Sequence, residues 1–183
     1  MSAGLQPEDL PHYSVEDYVQ WSGDWELIHG IPYAMSPAPT KLHQKLTLAI
    51  GNQLLSESAE CPDCEVLLET DWVIRADTLL RPDVAVVCGD DNPRHIAKTP
   101  DIVCEVLSPS TARRDEGLKL REYEEAGVRY YVLIDPEQLM ARVFQHSGKG
   151  FQGPAECTRE HFRFEKSRCP LSLDFDALFR PFR

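Results

Sequence analysis

Two short apolar runs, RPDVAVV from Arg81 to Val87 and DIVCEVLSPST from Asp101 to Thr111, each hold one carboxylate where a buried strand is otherwise apolar. Those carboxylates are Asp83 and Glu105. Glu105 is the more telling, because Ile102, Val103, Cys104, Val106 and Leu107 surround it, and an acid in such a run is rarely buried without a metal or a charge partner. The bland alternatives are a solvent-facing strand-start acid for Asp83 and an edge-strand charge that discourages aggregation for Glu105. Next comes STARRDEGLKLREYEEAGV, in which Asp115, Lys119 and Tyr123 recur every fourth residue and so share one helix face. Gly127 is placed as the C-terminal stop of that helix, and YYVLIDP resumes as a strand. The strand, helix, strand order predicts a parallel pair with a right-handed crossover. Two carboxylates converging at neighbouring strand ends suit a hard divalent cation such as magnesium, which takes oxygen ligands and keeps several waters.

The remaining chain supplies a frame for this centre. Residues 1–10 read as a loose polar tail, and residues 11–183 as one domain, a length that carries a full hydrophobic core. Ser14 is a helix N-cap with Asp17 three residues on, and WELIHGIPYAMSP is a strand pair turning at His29 and Gly30. Pro37 and Pro39 mark a loop before KLHQKLTLAIGNQLLSES, the principal N-terminal helix, with His43 near its start. EVLLETDWVIR alternates as a strand that reverses at RADTLL into the Asp83 run. The polar GDDNPRHIAKTP reads as a surface loop able to order over a substrate. ARVFQHSGKGFQG predicts a hairpin around Ser147 to Gly150, and LSLDFDALF a final short helix packed by Leu178 and Phe179.

The net charge of -11 speaks against a protein that coats polyanions with surplus Lys and Arg. It leaves room for a nuclease, which carries acids at its centre and a local basic rim. The sequence has neither a signal-peptide pattern nor a run of membrane-span length, so a cytoplasmic location is expected. The six cysteines form no small-secreted-domain framework and are expected as thiols, Cys88 and Cys104 as small core residues. Cys61 and Cys64, in CPDC, have the spacing of half a zinc site, but Cys157 and Cys169 supply no second pair, so the motif reads as a turn with two thiols.

RPDVAVV, EVLSPST, the Asp, Lys and Tyr at four-residue spacing and GVRYYVLIDP, with WELIHG and His43 ahead of them, resemble the Uma-two family of restriction-endonuclease-like proteins from about Val15 to Phe179. The resemblance implies a PD-(D/E)XK nuclease fold, an α/β architecture with a mixed β-sheet flanked by helices, here with an N-terminal β-hairpin and a C-terminal hairpin. It implies a metal-dependent endonuclease acting on DNA. Asp83 and Glu105 would hold Mg2+ or Mn2+, and an early glutamate often completes such a site. The chain departs from the pattern at Leu107, which stands where the family's lysine is expected two residues after the second acid. Lys119 is the replacement candidate, with Tyr123 or His43 positioning groups. Its bland reading is a surface lysine paired along its helix for about 0.3–0.5 kcal/mol. Glu26 reads equally as a third metal acid or as a surface residue of an alternating hairpin. His43 reads as a metal ligand, a phosphate donor or an ordinary helix-start residue. Ser108, Ser110 and Thr111 lack a glycine elbow and read as helix capping. Arg113, Arg114 and Arg121 lie among glutamates and read as a mixed solvated face. A two-fold homodimer is expected of a nuclease that cuts both strands, with Phe144, Phe151 and Phe162 as a candidate surface. The rival expectation is a non-catalytic interaction protein that keeps the fold, linked to mobile elements, motivated by Leu107 and the acidic charge.

Overall fold

The chain is seen in a computed structural model that describes residues 11–35 and 38–183; the expected tail at 1–10 and the Pro37 end of the predicted loop lie outside the described residues. Its centre is a six-stranded sheet in the order β10-β9-β8-β7-β6-β3. The strands are β3 (Cys64–Leu68), β6 (Val84–Cys88), β7 (Ile102–Val106), β8 (Tyr130–Asp135), β9 (Met140–His146) and β10 (Phe151–Cys157). β7 and β8 run parallel and every other neighbouring pair is antiparallel, so the sheet is mixed as expected.

Side-chain alternation divides the core between the two faces of this sheet. On one face Val84, Val86, Ile102, Cys104 and Val106 pack with Leu46, Ile50 and Leu54 of helix α2 (Lys41–Glu57), and with Leu178 and Phe179 of helix α5 (Phe175–Phe179). On the other face Ala85, Val87, Val103 and Leu107 pack with Tyr123, Tyr131 and Leu133. Each fully buried aliphatic side chain in these layers contributes about 1.5–3 kcal/mol. Asp83 and Glu105 share the parity of the second face.

That second face is covered by a helical segment and by a smaller antiparallel sheet in the order β2-β1-β5-β4. The small sheet comprises β1 (Trp25–Ile28), β2 (Ile31–Ala34), β4 (Trp72–Arg75) and β5 (Thr78–Leu80), and Ile28, Trp72 and Leu80 join its core to the large sheet. The β1–β2 hairpin turns at His29 and Gly30, both at positive φ, as predicted. Ser14 caps helix α1 (Val15–Tyr18) in a reciprocal box with Asp17. β11 (His161–Arg163) and β12 (Ser172–Asp174) form a two-stranded pair before α5.

Four expectations are corrected. EVLLETDWVIR is two strands in different sheets, because Glu69 adopts φ 46 and ends β3 before β4 begins. The polar segment between β6 and β7 leaves from the Cys88 end, opposite to Asp83, so it does not overlie the acids. Phe144 and Phe151 pack against Tyr131 and remain partly exposed, while Phe162 lies outside the β9–β10 hairpin, half-buried against Tyr130 and Phe164, so the three do not form one hairpin surface. Finally, Cys61 is bonded to Cys169 and Cys64 to Cys88; Cys104 and Cys157 alone are buried thiols.

Candidate active site

The register of β6 against β7 brings the acids together. Val84 faces Cys104, so one step further along the antiparallel pair Asp83 stands opposite Glu105. Asp83 Oδ2 accepts the Val106 N–H at 2.7 Å, and the Asp83 N–H donates to Glu105 Oε2 at 3.4 Å. These crossed bonds continue the ladder through side chains beyond its last backbone pair. They also fix both carboxylates at the mouth of a cleft of about 420 Å³ whose walls include Glu26, His43, Arg114 and Lys119.

Lys119 arrives from the helical segment, which consists of α3 (Ala112–Arg114), one π-helical turn (Asp115–Lys119) and α4 (Leu120–Glu125). The expected stripe of Asp115, Lys119 and Tyr123 faces the sheet. Lys119 Nζ is 2.9 Å from Glu105 Oε1, 2.7 Å from Glu26 Oε1 and 3.6 Å from Asp115 Oδ1. With only 3% of its surface exposed, Lys119 is a buried ammonium and not a solvated surface lysine. Tyr123 is fully buried behind Glu105, donates to Glu105 Oε1 at 2.7 Å and stacks on Trp72; it is not part of the cleft wall.

Glu26 is also fully buried, on β1, and its Oε1 accepts the Arg81 N–H at 3.1 Å. It therefore belongs to the charged cluster and not to the hairpin's outer surface. Arg114 approaches Glu26 Oε2 at 3.7 Å and lies over the Tyr33 ring. Glu26 Oε2 and Asp115 Oδ1 are buried without a hydrogen-bond partner.

His43 enters from the first turn of α2, which Thr40 caps by accepting the His43 N–H at 3.2 Å. Its Nε2 lies 3.2 Å from Asp83 Oδ2. Leu107, in the place of the expected lysine, is buried in the second core layer.

Burial pushes Glu105 well above the usual carboxylate range, against the opposing pull of Lys119, and the nearby Asp83, Asp115 and Glu26 push it further. Burial likewise raises Asp115. Burial alone would lower Lys119, but Glu105, Glu26 and Asp115 together hold it well above its ordinary value. Burial would also lower His43, and its contacts with Asp83 reverse the sign and raise it. The cluster thus contains one fully buried cation facing three carboxylates, with Arg114 at its edge.

The sequence located Asp83, Glu105, Lys119 and Tyr123, and the structure brings all four together with both Glu26 and His43. Glu26 lies on the Lys119 side and His43 on the Asp83 side. Among the described residues, no three His, Cys, Asp or Glu side chains already frame a metal ion. Asp115 appeared in the sequence only as a member of the helical stripe, although the same four-residue spacing was the signal for its place beside Lys119. Arg114 carried no such signal, since it falls outside the four-residue spacing of Asp115, Lys119 and Tyr123.

A family model described as "Uma2: Putative restriction endonuclease" matches residues 15–165. "Uncharacterized protein slr1290" of Synechocystis sp. is 31% identical over 123 residues, which span 62% of this chain and 63% of that relative. A crystal structure from Anabaena variabilis, described as a putative nuclease belonging to DUF820, superposes with a TM-score of 0.72 at 18% identity. That match covers 91% of this chain and 97% of the other, and establishes likeness of fold.

Proposed function

We propose, from the premise that this chain belongs to the Uma2 family of putative restriction endonucleases, that it hydrolyses phosphodiester bonds of DNA with a divalent cation, magnesium or manganese. Family membership supports nuclease-like function, and the fold agrees with it. One observation carries the finer reading: Asp83 and Glu105 meet across adjacent strands at a cleft, with a buried ammonium fixed behind Glu105.

The donor set fits a hard cation. It is all oxygen and nitrogen, it carries more negative charge than Lys119 and Arg114 balance, and two buried carboxylate oxygens have no hydrogen-bond partner. Asp83 and Glu105 would hold the ion, with His43 at the Asp83 side and Glu26 behind Lys119. The chemistry that such an ion supplies when bound is polarisation of the phosphate and acidification of water.

The chain's own groups have separable duties in this reading. An ammonium flanked by three carboxylates keeps its proton near neutral pH, so Lys119 is not the base. It is a fixed positive charge that stabilises negative charge developing on the phosphate. Tyr123 acts through Glu105, holding one oxygen so that the other faces the cleft, and is a positioning residue. His43, protonated more readily because of Asp83, can hand a proton to a leaving oxygen. Among the described residues, no helix is long and apolar enough to cross a membrane. A cytoplasmic location beside DNA and a two-fold dimer that cuts both strands complete the proposal, the dimer being checked by light scattering.

The test is incubation of the purified chain with supercoiled DNA and magnesium or manganese. Cutting that disappears in Asp83→Ala is expected; no cutting, or cutting that survives the substitution, overturns the reading. The rival, a non-catalytic protein retaining the fold, is favoured by one observation, the burial of apolar Leu107 where a lysine is expected. Calorimetric titration of manganese separates the two, since only the nuclease reading requires binding that is lost in Glu105→Gln.

A further inference from the structure

Asp83 precedes β6 and Cys88 ends it, so the two lie roughly 16 Å apart along the strand at about 3.3 Å per residue. At this far end four cysteines converge. Cys61 and Cys64 occupy one tight turn in which the Cys64 N–H donates to the Cys61 carbonyl at 2.9 Å. Cys88 is the cross-strand partner of Cys64 in the β3–β6 ladder. Cys169 reaches Cys61 from the segment ahead of β12, across a sequence separation of 108 residues. Each disulfide therefore joins one cysteine of the same turn to a cysteine distant from it in sequence, so the turn ties the two pairs together. Two independent covalent staples have no need of a common Cys-x-x-Cys turn, whereas a four-sulfur metal site is built on one.

We propose that in the reduced chain Cys61, Cys64, Cys88 and Cys169 form a tetrathiolate zinc site, structural in role and separate from the acidic cleft. The missing second pair of the CPDC motif is Cys88 with Cys169, brought together by the fold. Tetrahedral zinc needs sulfurs about 2.3 Å from the ion and so about 3.8 Å from one another. Once the sulfurs are free, side-chain rotation would have to bring the four to that spacing, beside a cavity of about 330 Å³ lined by Cys61, Cys64, Cys88 and Arg168.

The surrounding charges suit the dianion that four thiolates and one zinc ion make. Arg168 donates to the Cys88 carbonyl at 2.8 Å, and the Lys98 ammonium donates to the carbonyl of Gly89. The Asp101 carboxylate lies 3.7 Å from Cys88 Sγ, and both Arg129 and Arg168 already pair with it. Asp63, on the turn, is the acid that lines the cavity. One further argument rests on the proposed function: a chain acting on DNA works where thiols stay reduced and such clusters bind metal. The convergence of the sulfurs stands without it.

The decisive experiment purifies the full chain anaerobically with a non-thiol reductant, measures zinc by mass spectrometry, and replaces it with cobalt. About one zinc per chain is expected, together with a sulfur-to-cobalt charge-transfer band and tetrahedral visible bands. Bound metal falls at least tenfold in Cys64→Ser and in Cys169→Ser. Glu105→Gln keeps the band, so loss of the cleft's function and loss of this site read separately. If the serine variants fail to fold, the cobalt spectrum of the unsubstituted chain decides alone. A reduced chain that takes no zinc and shows no sulfur-to-cobalt band overturns the proposal. So do metal that persists in both serine variants and a chain that keeps two disulfides through reduction.

Discussion

Glu105 and Asp83 face each other across one strand pair, yet their surroundings differ. The Glu105 side is dry: the side chains of Glu105 and Lys119 are each 4% exposed, with Glu26, Asp115 and Tyr123 closing around them. The Asp83 side opens to the cleft, where the Asp83 and His43 side chains are 16% and 11% exposed. In the dry half a charge cannot be left alone, so every group depends on its partner. In the open half water screens and replaces lost contacts. The pairing of a locked half with a reachable half suits a site in which one side sets the field and the other meets the substrate.

The largest effect that tests this contrast is Lys119→Met. Removing the cation leaves Glu26, Glu105 and Asp115 without their shared partner, and a loss of about 3–5 kcal/mol in urea unfolding is expected. Adding Glu105→Gln should recover part of it. A Lys119→Met chain as stable as the parent would mean that the Glu105 half is not dry at all.

Tyr123→Phe is the next step down. It deletes one of two donors to Glu105 Oε1 and leaves Lys119 on the same oxygen. A cost of about 1.5 kcal/mol is expected, the low end for a bond to a charged group. In a nuclease assay, a fall in kcat with little change in KM would mark Tyr123 as positioning Glu105.

The smallest effect lies on the open side and appears in the pH dependence. His43 has a raised folded-state pKa, so its contribution is fully present below about 6.5, its ordinary value, and is lost as pH rises through the folded value. His43→Gln should therefore flatten the decline in stability above that pH by less than about 1 kcal/mol. Glu105 and Asp115 are raised as well, so the folded chain binds more protons than the unfolded one and their contribution also falls with rising pH, beginning lower, above about 4. Two-dimensional NMR of the His43 ring separates the two ranges. A His43 titration below 6.5 would reverse the assigned direction.

The legible parts of this site share a physical cause. Glu105 announced itself because a charge within a five-residue apolar strand needs a partner, and the helical spacing of Lys119 and Tyr123 showed which partners were available. Parity along β6 and β7 then placed Asp83 and Glu105 on one face. Glu26 stayed ambiguous because an alternating hairpin reads alike whichever face is covered, and only the packing of the small sheet onto the large one buries it. EVLLETDWVIR hid its break because Glu69 takes a left-handed backbone without the glycine that usually signals one. The cysteine cluster was illegible for another reason: contacts between residues far apart in sequence leave no periodic trace along the chain.

The π turn from Asp115 to Lys119 sets the phase of the helical segment. Its hydrogen bonds span one more residue than those of the α-helix on either side, and Tyr131 on β8 donates from its hydroxyl to the Asp115 carbonyl at 3.1 Å. Gly117 lies within it, with open space where a side chain would be. The segment behaves as a helix carrying a one-residue insertion, much as a gear with an added tooth changes which later teeth engage. Removing that residue would let the helix run straight and rotate everything beyond it by about 100°. Tyr123 would then turn away from Glu105 while the composition of the stripe stayed almost the same. In a chain built this way, single-residue length variation in the helix reassigns which side chains reach the acids, a route to altered chemistry that needs no substitution at any acid.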